Sequence, residues 1–272
     1  MKVWINGRAG TRIDWRDRGL QYGDGLFETM CVRAGAVRLL EYHLDRLYGG
    51  SARLGIDPPD RGRLRREIAR AAALRDDAVL KLVLTRGVGA RGYRPSGGER
   101  STRILSLWPP PAHAAVGSAP IRLRICRTRI GRNDALAGLK TLNRLESVLA
   151  RAEWRDERIG EGLLLDHDGH VVCGTMSNLF LRRGATLSTP LVDRCGVAGV
   201  MRRFVLAEAA SVGLRPVERR IRLEDLHTAE EVFMSNAVAG LIAVAAIGHG
   251  RALIRPPDRG AARRLRERLD AR

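Results

Sequence analysis

The pattern of hydrophobic and polar positions predicts strands and helices in both halves of the chain. Leu80, Leu82 and Leu84 alternate with other residues over 78–85, which is the two-residue period of a half-buried strand. Similar short apolar runs predict further strands over 3–5, 27–32, 36–40, 103–108, 121–125 and 178–182. Apolar residues at helical spacing predict helices over about 41–54, 61–74, 143–155 and 200–212.

The helix predicted over 143–155 has both a start signal and an apolar face. Asn143 and Glu146 are spaced as in a capping box, in which two side chains satisfy the first free amides of a helix. Leu145, Leu149 and Ala152 fall on one side of this helix, as the helical period predicts.

A hairpin is predicted from strands over 162–166 and 170–173, with Asp168 and Gly169 at its tip. His167 and His170 flank that tip, so we interpret them as turn residues and not as a ligand pair. No other histidine or cysteine spacing is typical of a metal site, and we therefore expect no metal.

Proline residues divide the chain into two parts. Residues 111–120 begin within a run of three prolines and end at Pro120, and such runs join neither a helix nor a sheet ladder. We expect a small α+β domain over 1–110, a linker over 111–120 and a larger domain over 121–272 that contains Lys140. Strands mixed with helices in both parts predict a two-domain α+β enzyme.

Composition excludes several classes of protein. The 272 residues are 44% hydrophobic, and the longest apolar stretch, over 237–248, is shorter than the roughly 18 residues of a membrane span. The first residues turn polar before an apolar segment develops, which argues against a secretory signal. Cys31, Cys126, Cys173 and Cys195 are far apart and are interpreted as free thiols. We therefore expect a cytoplasmic protein that does not enter the membrane.

A formal net charge of +18 raises the alternative of a nucleic-acid-binding protein. Arginines are spread over the whole chain and interleave with acids at helical spacing, as in the segments 60–67 and 263–268. Aromatic residues make up only 4% of the chain, too few for a base-stacking platform, and no nucleic-acid module is recognised. We expect no specific nucleic-acid partner, although DNA binding stays the alternative outside enzymology.

Lysine is rare enough to be informative. Three of the 48 basic residues are lysine, at positions 2, 81 and 140, and the other 45 are arginine. An arginine cannot lose its proton near neutral pH, whereas a lysine can supply a nucleophilic amine. Lys140 lies between a glycine turn and a predicted helix start, where the positive end of the helix would lower the pKa of its ammonium. Lys81 is interpreted as a strand residue that reaches solvent, and Lys2 as a terminal surface charge.

Two glycine-rich segments follow strands or precede helices. Residues 87–92 match the spacing of a dinucleotide-binding loop, but no helix and no ribose-binding acid follow. We interpret this segment as a flexible loop that offers Arg86, Arg91 and Tyr93 to a substrate carboxylate. Residues 195–202 run from a glycine turn into a helix, where free amides and the positive helix end are typical of a phosphate site.

These features together resemble the class IV, D-amino-acid-aminotransferase-like enzymes that use pyridoxal phosphate. The resemblance is specific at residues 174–180 (Gly-Thr-Met-Ser-Asn-Leu-Phe), 187–189 (Leu-Ser-Thr) and 197–202 (Val-Ala-Gly-Val-Met-Arg). Within that family, residues 22–29, 43–47, 86–93 and 139–146 are most similar to the aminodeoxychorismate lyases. The similarity extends over essentially the whole chain and implies the fold-type-IV architecture and a homodimer.

The resemblance also implies a set of site residues. Lys140 would hold pyridoxal phosphate covalently and move protons, while Arg46 and the backbone amides of Val200 and Met201 would hold the phosphate. Asn236 and Ala237 match a further cofactor-binding segment, although Ala237 lacks the hydroxyl that related transaminases place there. Phe27, Arg91 and Tyr93 match positions that contact the substrate, the last two often reaching the site of a neighbouring subunit.

One residue departs from the family pattern. The family has a glutamate just before the Gly174 position, paired with the pyridine nitrogen of the cofactor, and this chain has Cys173. A neutral thiol is a weaker partner for that nitrogen, so transamination should suffer more than a reaction that is driven by formation of an aromatic ring. We expect a lyase that converts 4-amino-4-deoxychorismate to 4-aminobenzoate and pyruvate in folate synthesis. A D-amino-acid or branched-chain aminotransferase of the same fold, and an inactive homologue, remain the alternatives.

Overall fold

The computed structural model describes residues 1–111, 119–248, 253–257 and 260–271, and it divides into two compact units. The first unit comprises residues 1–112 together with Leu139–Asn143, and the second comprises residues 113–138 and 144–272. Residues 112–118 of the linker predicted over 111–120 lie outside the described residues. The domain boundaries inferred from the sequence therefore stay a prediction.

The first unit is a six-stranded antiparallel sheet with helices. Its elements are β1 (Lys2–Ile5), β2 (Arg8–Ala9), α1 (Arg18–Tyr22), β3 (Gly25–Arg33), β4 (Ala36–Val37), α2 (Leu40–Leu54), α3 (Arg61–Ala72), β5 (Ala78–Thr85) and β6 (Thr102–Trp108). The strand order is β2-β1-β6-β5-β3-β4. Leu80, Leu82 and Leu84 are buried while Lys81 is exposed, as the alternation in β5 predicts.

The second unit is an eight-stranded mixed sheet with helices. Its elements are β7 (Ile121–Arg129), α4 (Leu145–Arg151), β8 (Ile159–Leu165), β9 (Val171–Gly174), β10 (Asn178–Arg183), β11 (Thr186–Pro190), α5 (Val200–Glu208), a 3₁₀ turn (Ala209–Val212), β12 (Arg215–Arg219), α6 (Leu223–His227), β13 (Glu231–Asn236), β14 (Gly240–Ile247) and α7 (Ala261–Asp270). The strand order is β12-β11-β10-β13-β14-β7-β8-β9, with parallel pairs at β11–β12, β14–β7 and β7–β8. One antiparallel and one mixed sheet, each with helices, confirm the predicted α+β class.

The predicted helix over 143–155 is shorter in the structure, and its capping box is wrong. Helix α4 covers only Leu145–Arg151, and its N-cap residue Arg144 makes no side-chain capping bond. The Asn143 side chain donates instead to the carbonyl oxygen of Gly23 at 3.3 Å, and Glu146 accepts from the amide of Gly131 at 2.8 Å. Both side chains therefore bond to groups outside the helix, and neither caps its first turn.

The apolar face of this helix is exposed in the structure. Leu145 and Leu149 are 70% and 56% exposed, and Val148 between them is 59% exposed. Helix α4 therefore presents apolar side chains on the surface of the chain. No helix among the described residues is long and apolar enough to cross a bilayer.

Two further local predictions have different outcomes. The strand predicted over 36–40 ends at Val37, because Leu39 adopts a left-handed conformation, with φ of 53°, and helix α2 begins at Leu40. The hairpin tip at Asp168 and Gly169 is confirmed by the positive φ of Gly169 and by its amide bond to the Asp166 carbonyl. Asp166, Asp168 and His170 place their ligand atoms within 4.8 Å of one another at this tip, while the absence of a metal stays a prediction.

Candidate active site

Lys140 is held in the first unit by backbone pairing with the start of β3. The amide of Phe27 donates to the Lys140 carbonyl at 3.0 Å, and the amide of Leu142 donates to the Gly25 carbonyl at 3.0 Å. The segment thus lies along β3 like an additional short strand. The Lys140 Nζ atom lies 4.2 Å from the centroid of the Phe27 ring, so the predicted catalytic amine and a predicted substrate residue are neighbours.

A buried ionic cluster on β3 and α2 accompanies these two residues. The Glu28 carboxylate accepts from Arg46 at both oxygens, from Nε at 2.8 Å and from an Nη atom at 2.5 Å. His43 Nδ1 lies 2.5 Å from Glu28 Oε2 and donates the proton, because the ionised carboxylate can only accept. Glu28 and His43 are 2% and 1% exposed, so the Arg46 side chain is oriented by a partner shielded from water.

The charges in this cluster set the protonation states. Burial by itself would raise the pKa of Glu28, but the charge of Arg46 and the hydrogen bonds from His43 and Arg46 lower it to about 2. Burial lowers the pKa of His43, the charges of Arg46 and Lys140 lower it further, and the pairing with Glu28 opposes them. Near neutral pH the cluster therefore holds an ionised carboxylate beside a neutral imidazole.

In the second unit, helix α5 begins without a side-chain cap. Its N-cap residue is Gly199, which has no side chain, and the amides of Val200 and Met201 belong to the first turn, which has no intrahelical acceptors. A Cβ atom at position 199 would lie 2.0 Å from Oδ1 of Asn178, whose Nδ2 donates to the Val197 carbonyl at 2.9 Å. An added Cβ would therefore have to displace the Asn178 side chain, which favours glycine here, and the amides of the first turn suit an anion.

The same loop is bonded to the segment that leads to Lys140. The amide of Gly138 donates to the Gly196 carbonyl at 3.1 Å, and the amide of Ala198 donates to the Gly138 carbonyl at 3.0 Å. Gly138 precedes Lys140 by two residues in the chain. Gly138 is thus fixed to the loop that precedes helix α5.

A buried hydroxyl lies on β13, opposite Asn178. Ser235 pairs with Asn178 in the β10–β13 register, and among the described residues its Oγ atom has no hydrogen-bond partner although it is buried. A buried polar atom without a partner carries a free-energy cost, which a bound ligand can remove. The Asn236 side chain, in contrast, accepts from the amides of Val238 and Ala239 and forms a local turn.

Cys173 is buried on β9 in a shell of apolar residues and two other thiols. Burial raises the pKa of its thiol to about 12, so Cys173 is neutral at physiological pH. The adjacent turn is organised by Glu161 of β8, whose carboxylate accepts from the hydroxyls of Thr175 and Ser177 and from three backbone amides. A cofactor nitrogen next to Cys173 would thus meet a neutral thiol.

The glycine-rich segment after β5 presents its predicted substrate residues to solvent. Arg91 is exposed and the Tyr93 residue is 85% exposed. The sequence suggests Arg86 as a third residue for a substrate carboxylate. Its side chain instead donates to both oxygens of Asp24 and to the carbonyls of Leu54 and Gly55. Arg86 therefore holds the structure of the first unit, and Arg91 and Tyr93 stay the predicted substrate contacts.

The structure brings some of the predicted site residues together within each unit. Phe27, Arg46 and Lys140 belong to the first unit, with Arg91 and Tyr93 in its exposed loop. The second unit holds Cys173, Val200, Met201, Asn236 and Ala237.

Sequence reasoning missed Glu28, His43, Glu161 and Ser235. An acid within the apolar strand pattern of β3, and a histidine three residues before Arg46 on α2, were the signals that point to the first two.

The chain is similar to several known proteins. Residues 25–247 match the family model described as amino-transferase class IV. The chain is 36% identical to the aminodeoxychorismate lyase of Vibrio harveyi over 269 residues, covering 98% of this chain and 99% of that protein. It is 34% identical over 254 residues to a putative branched-chain-amino-acid aminotransferase of Methanocaldococcus jannaschii, covering 90% and 87%. The crystal structure of 4-amino-4-deoxychorismate lyase from Pseudomonas aeruginosa superposes with a TM-score of 0.91 at 46% identity, covering 99% of this chain and 98% of that one.

Proposed function

Since the chain belongs to the class IV aminotransferase family, as its motifs predict, we propose that it is an aminodeoxychorismate lyase dependent on pyridoxal phosphate. The reaction converts 4-amino-4-deoxychorismate to 4-aminobenzoate and pyruvate, a step towards folate. The observation that carries the proposal is the whole-chain similarity to a lyase structure at 46% identity, combined with a lysine amine fixed over the Phe27 ring.

The residues present fit the cofactor of this family. The start of α5, which has no side-chain cap and where an added Cβ would crowd Asn178, and the unpartnered hydroxyl of Ser235 both suit a phosphate-bearing ligand. We assign the phosphate to Arg46 and to the amides of Val200 and Met201, and the covalent link to Lys140. When bound, pyridoxal phosphate supplies an electron-accepting ring next to the reacting carbon.

Lys140 is proposed to move the proton that the reaction transfers. Its neutral amine takes the proton from the amine-bearing carbon of the substrate ring. The carbon–oxygen bond at the adjacent carbon then breaks, the electron pair leaves with the enolpyruvate oxygen, and the ring becomes aromatic. Enolpyruvate takes up a proton to become pyruvate, so the reaction consumes neither water nor an oxidant.

Cys173 favours a lyase over an aminotransferase. A carboxylate keeps a pyridine nitrogen protonated through its negative charge, and a thiol with a pKa of about 12 has no such charge at neutral pH. The cofactor ring is therefore a weaker electron acceptor than it is beside a carboxylate. An elimination that forms an aromatic ring tolerates this loss, because the product is strongly stabilised. Transfer of an amino group gains no aromatic ring.

The substrate carries two carboxylates, and cationic or donor side chains would meet them. We assign this role to Arg91 and Tyr93, both exposed in the loop after β5, and the apolar ring contact to Phe27. The guanidinium of Arg91 can bind a carboxylate through two parallel hydrogen bonds.

Replacement of Lys140 tests the proposed function. We expect Lys140→Ala to lower 4-aminobenzoate formation by at least about 1,000-fold and to abolish the visible absorbance of the cofactor-loaded protein. Borohydride reduction followed by peptide mapping should place the cofactor on Lys140 and on neither Lys2 nor Lys81. Full turnover of the variant, or a label on Lys81, would contradict the assignment.

Replacement of Cys173 separates the lyase from its alternatives. We expect wild type to release 4-aminobenzoate and to convert amino donors with keto acids poorly, and Cys173→Glu to gain transamination. Wild type that binds the cofactor without forming product, and that Cys173→Glu rescues, would identify a degenerate homologue. Efficient transamination by wild type would identify an aminotransferase.

We also propose that the protein is a homodimer. Leu145, Val148 and Leu149 lie at helical spacing on the exposed face of α4, and such apolar patches are typical of protein interfaces. Light scattering should give twice the 30.0 kDa chain mass, and Val148→Glu should shift it towards one chain. The control is Leu74→Glu, at an exposed leucine of the first unit. A wild-type mass of one chain would refute the dimer.

A cytoplasmic location is supported by the four cysteines, which are all free and buried, as is usual in a reducing compartment. Cell fractionation checks this proposal. The arginines are extensively paired with acids, as in Arg16–Asp14 and Arg103–Glu67, and this leaves less positive surface for a phosphate backbone. Retention of the protein on DNA at physiological salt would contradict the expectation that it has no nucleic-acid partner.

A further inference from the structure

The loop that carries the proposed substrate residues lies alongside the start of α1. The Gly87 carbonyl accepts from the amide of Arg18 at 2.9 Å, and the amide of Gly89 donates to the Arg16 carbonyl at 3.4 Å. Between them, Asp17 and Val88 form an isolated β-bridge. The first half of the loop is therefore aligned with residues 16–18 by backbone contacts.

The Arg18 side chain continues this alignment to the end of the loop. Its two terminal nitrogens donate to the carbonyls of Gly92 and Tyr93, at 2.8 and 2.9 Å, and Nε donates to Asp24 at 2.9 Å. The side chain is only 4% exposed, so these hydrogen bonds are shielded from water. All three nitrogens of one planar group are used, which a lysine ammonium cannot reproduce in the same geometry.

Tyr22 also contacts the loop. Its hydroxyl accepts from the amide of Gly92 at 3.0 Å, and its ring lies 4.9 Å from the Arg18 guanidinium carbon and 5.5 Å from the Tyr93 ring. The backbone at residues 92 and 93 is thus held in two ways. Its carbonyl oxygens accept from Arg18, and the Gly92 amide donates to Tyr22. The Tyr93 residue itself remains 85% exposed and available to a ligand.

The glycines of this segment allow the close approach. A Cβ atom at position 89 would lie 2.7 Å from Cδ of Arg18, and one at position 87 would lie 1.9 Å from the Arg100 carbonyl oxygen. The spacing that resembles a dinucleotide-binding loop therefore has another physical cause in this protein. Gly89 lets the chain pass close to the Arg18 side chain, and Gly87 lets it pass close to the Arg100 backbone.

We propose that Arg18 is a positioning residue, which holds the backbone of residues 91–93 so that the Arg91 and Tyr93 side chains meet the substrate carboxylates. The assignment of those two side chains rests on the proposed function, whereas the anchoring of the loop does not. A preorganised loop loses less conformational entropy on binding than a mobile one, so the anchor lowers KM.

Arg86 offers a matched control. It bonds the same carboxylate, Asp24, at 2.7 and 3.1 Å, but its remaining donors reach the carbonyls of Leu54 and Gly55 and not the loop. Arg18→Lys and Arg86→Lys therefore remove comparable ion-pair contacts from one acid. Only the first removes the hydrogen bonds to Gly92 and Tyr93.

Two measurements on the cofactor-loaded protein test the proposal. Trypsin cleavage after Arg91, at the Arg91–Gly92 bond, should accelerate at least about tenfold in Arg18→Lys and change less than twofold in Arg86→Lys, because only the first loosens the loop. The KM for 4-amino-4-deoxychorismate should rise about tenfold in Arg18→Lys with kcat within about twofold, and stay near the wild-type value in Arg86→Lys. Tyr22→Phe removes one loop contact without touching the ion pairs and should show a smaller change of the same kind.

The outcomes separate the inference from the proposed function. Equal cleavage rates in wild type, Arg18→Lys and Tyr22→Phe would overturn the anchoring. Faster cleavage with unchanged KM would show that the loop is anchored but does not position substrate groups, which also overturns the proposal. If no variant and no wild-type sample forms 4-aminobenzoate, the lyase assignment fails, while the cleavage experiment still decides whether Arg18 anchors the loop. Should Arg18→Lys fail to fold, Tyr22→Phe alone gives both readouts.

Discussion

Replacing Glu28 by glutamine tests how the ionic cluster on β3 and α2 is held together. The variant keeps the size of the side chain and removes the charge that pairs with Arg46 and accepts from His43. Because Glu28 is 2% exposed, solvent cannot replace the lost charge. We therefore expect Glu28→Gln to destabilise the first unit and to free the Arg46 side chain.

The magnitude follows from the pKa of the carboxyl group. This pKa falls from the ordinary 4.5 to about 2 in the folded chain, and a tenfold change in an acid dissociation constant corresponds to about 1.4 kcal/mol. The ionised carboxylate thus contributes about 3 kcal/mol to the free energy of unfolding at neutral pH. A lowered folded-state pKa contributes stability above the unfolded value of 4.5, and this contribution is lost as the pH falls towards about 2.

Hydrogen exchange in increasing urea, followed at amides of β3 and β5, measures the stability of the first unit separately. We expect Glu28→Gln to lose about 3 kcal/mol at pH 7, and the difference from wild type to shrink below pH 4.5. Asp14→Asn is the control, because Arg16 likewise lowers the pKa of Asp14 to about 2, but the Asp14 side chain is 34% exposed and water screens the pair. A loss below about 1 kcal/mol at pH 7, or equal effects of the two variants, would refute this reasoning.

Three further predictions concern the second unit. Gly199→Ala should lower the free energy of unfolding by about 1–3 kcal/mol and weaken phosphate binding, because the new Cβ would lie 2.0 Å from Asn178 Oδ1. Urea unfolding measures the first effect, and a titration with pyridoxal phosphate measures the second. Ser235→Ala should leave the cofactor-free protein equally or more stable, since the removed hydroxyl is buried without a partner among the described residues, and it should lower the affinity for pyridoxal phosphate in a fluorescence titration. Glu161→Gln should lower the melting temperature by several degrees, because the NH2 group of the glutamine side chain is a donor and would face the donors of the Thr175 turn. An unchanged melting temperature would contradict this.

Several structural elements can be predicted from residues that are neighbours in the sequence. The alternation of Leu80, Leu82 and Leu84 around Lys81 is enough to identify β5, since a strand exposes every second residue to one side. Asp168 and Gly169 mark a hairpin tip because glycine tolerates a positive φ. The scarcity of lysine singles out Lys140, and the motifs around residues 174–202 identify the family, which the comparisons confirm.

Other features depend on partners that the sequence does not place next to each other. The capping box at Asn143 is wrong because Gly23, 120 positions earlier, accepts the hydrogen bond of its side chain. The apolar stripe of α4 has helical spacing, yet periodicity does not tell whether a core or another subunit covers it.

The amino-acid sequence by itself determined most of the strand and helix pattern and the family, because these depend on residue types at short, regular spacing, and it predicted the reactive amine at Lys140. Only the tertiary structure decided that Glu28 pairs with Arg46 and that the glycine loop wraps around Arg18. Hydrogen bonds of this kind depend on distances between strands and loops that are remote in the chain, and on the exclusion of water around them. Neither quantity is encoded in local periodicity.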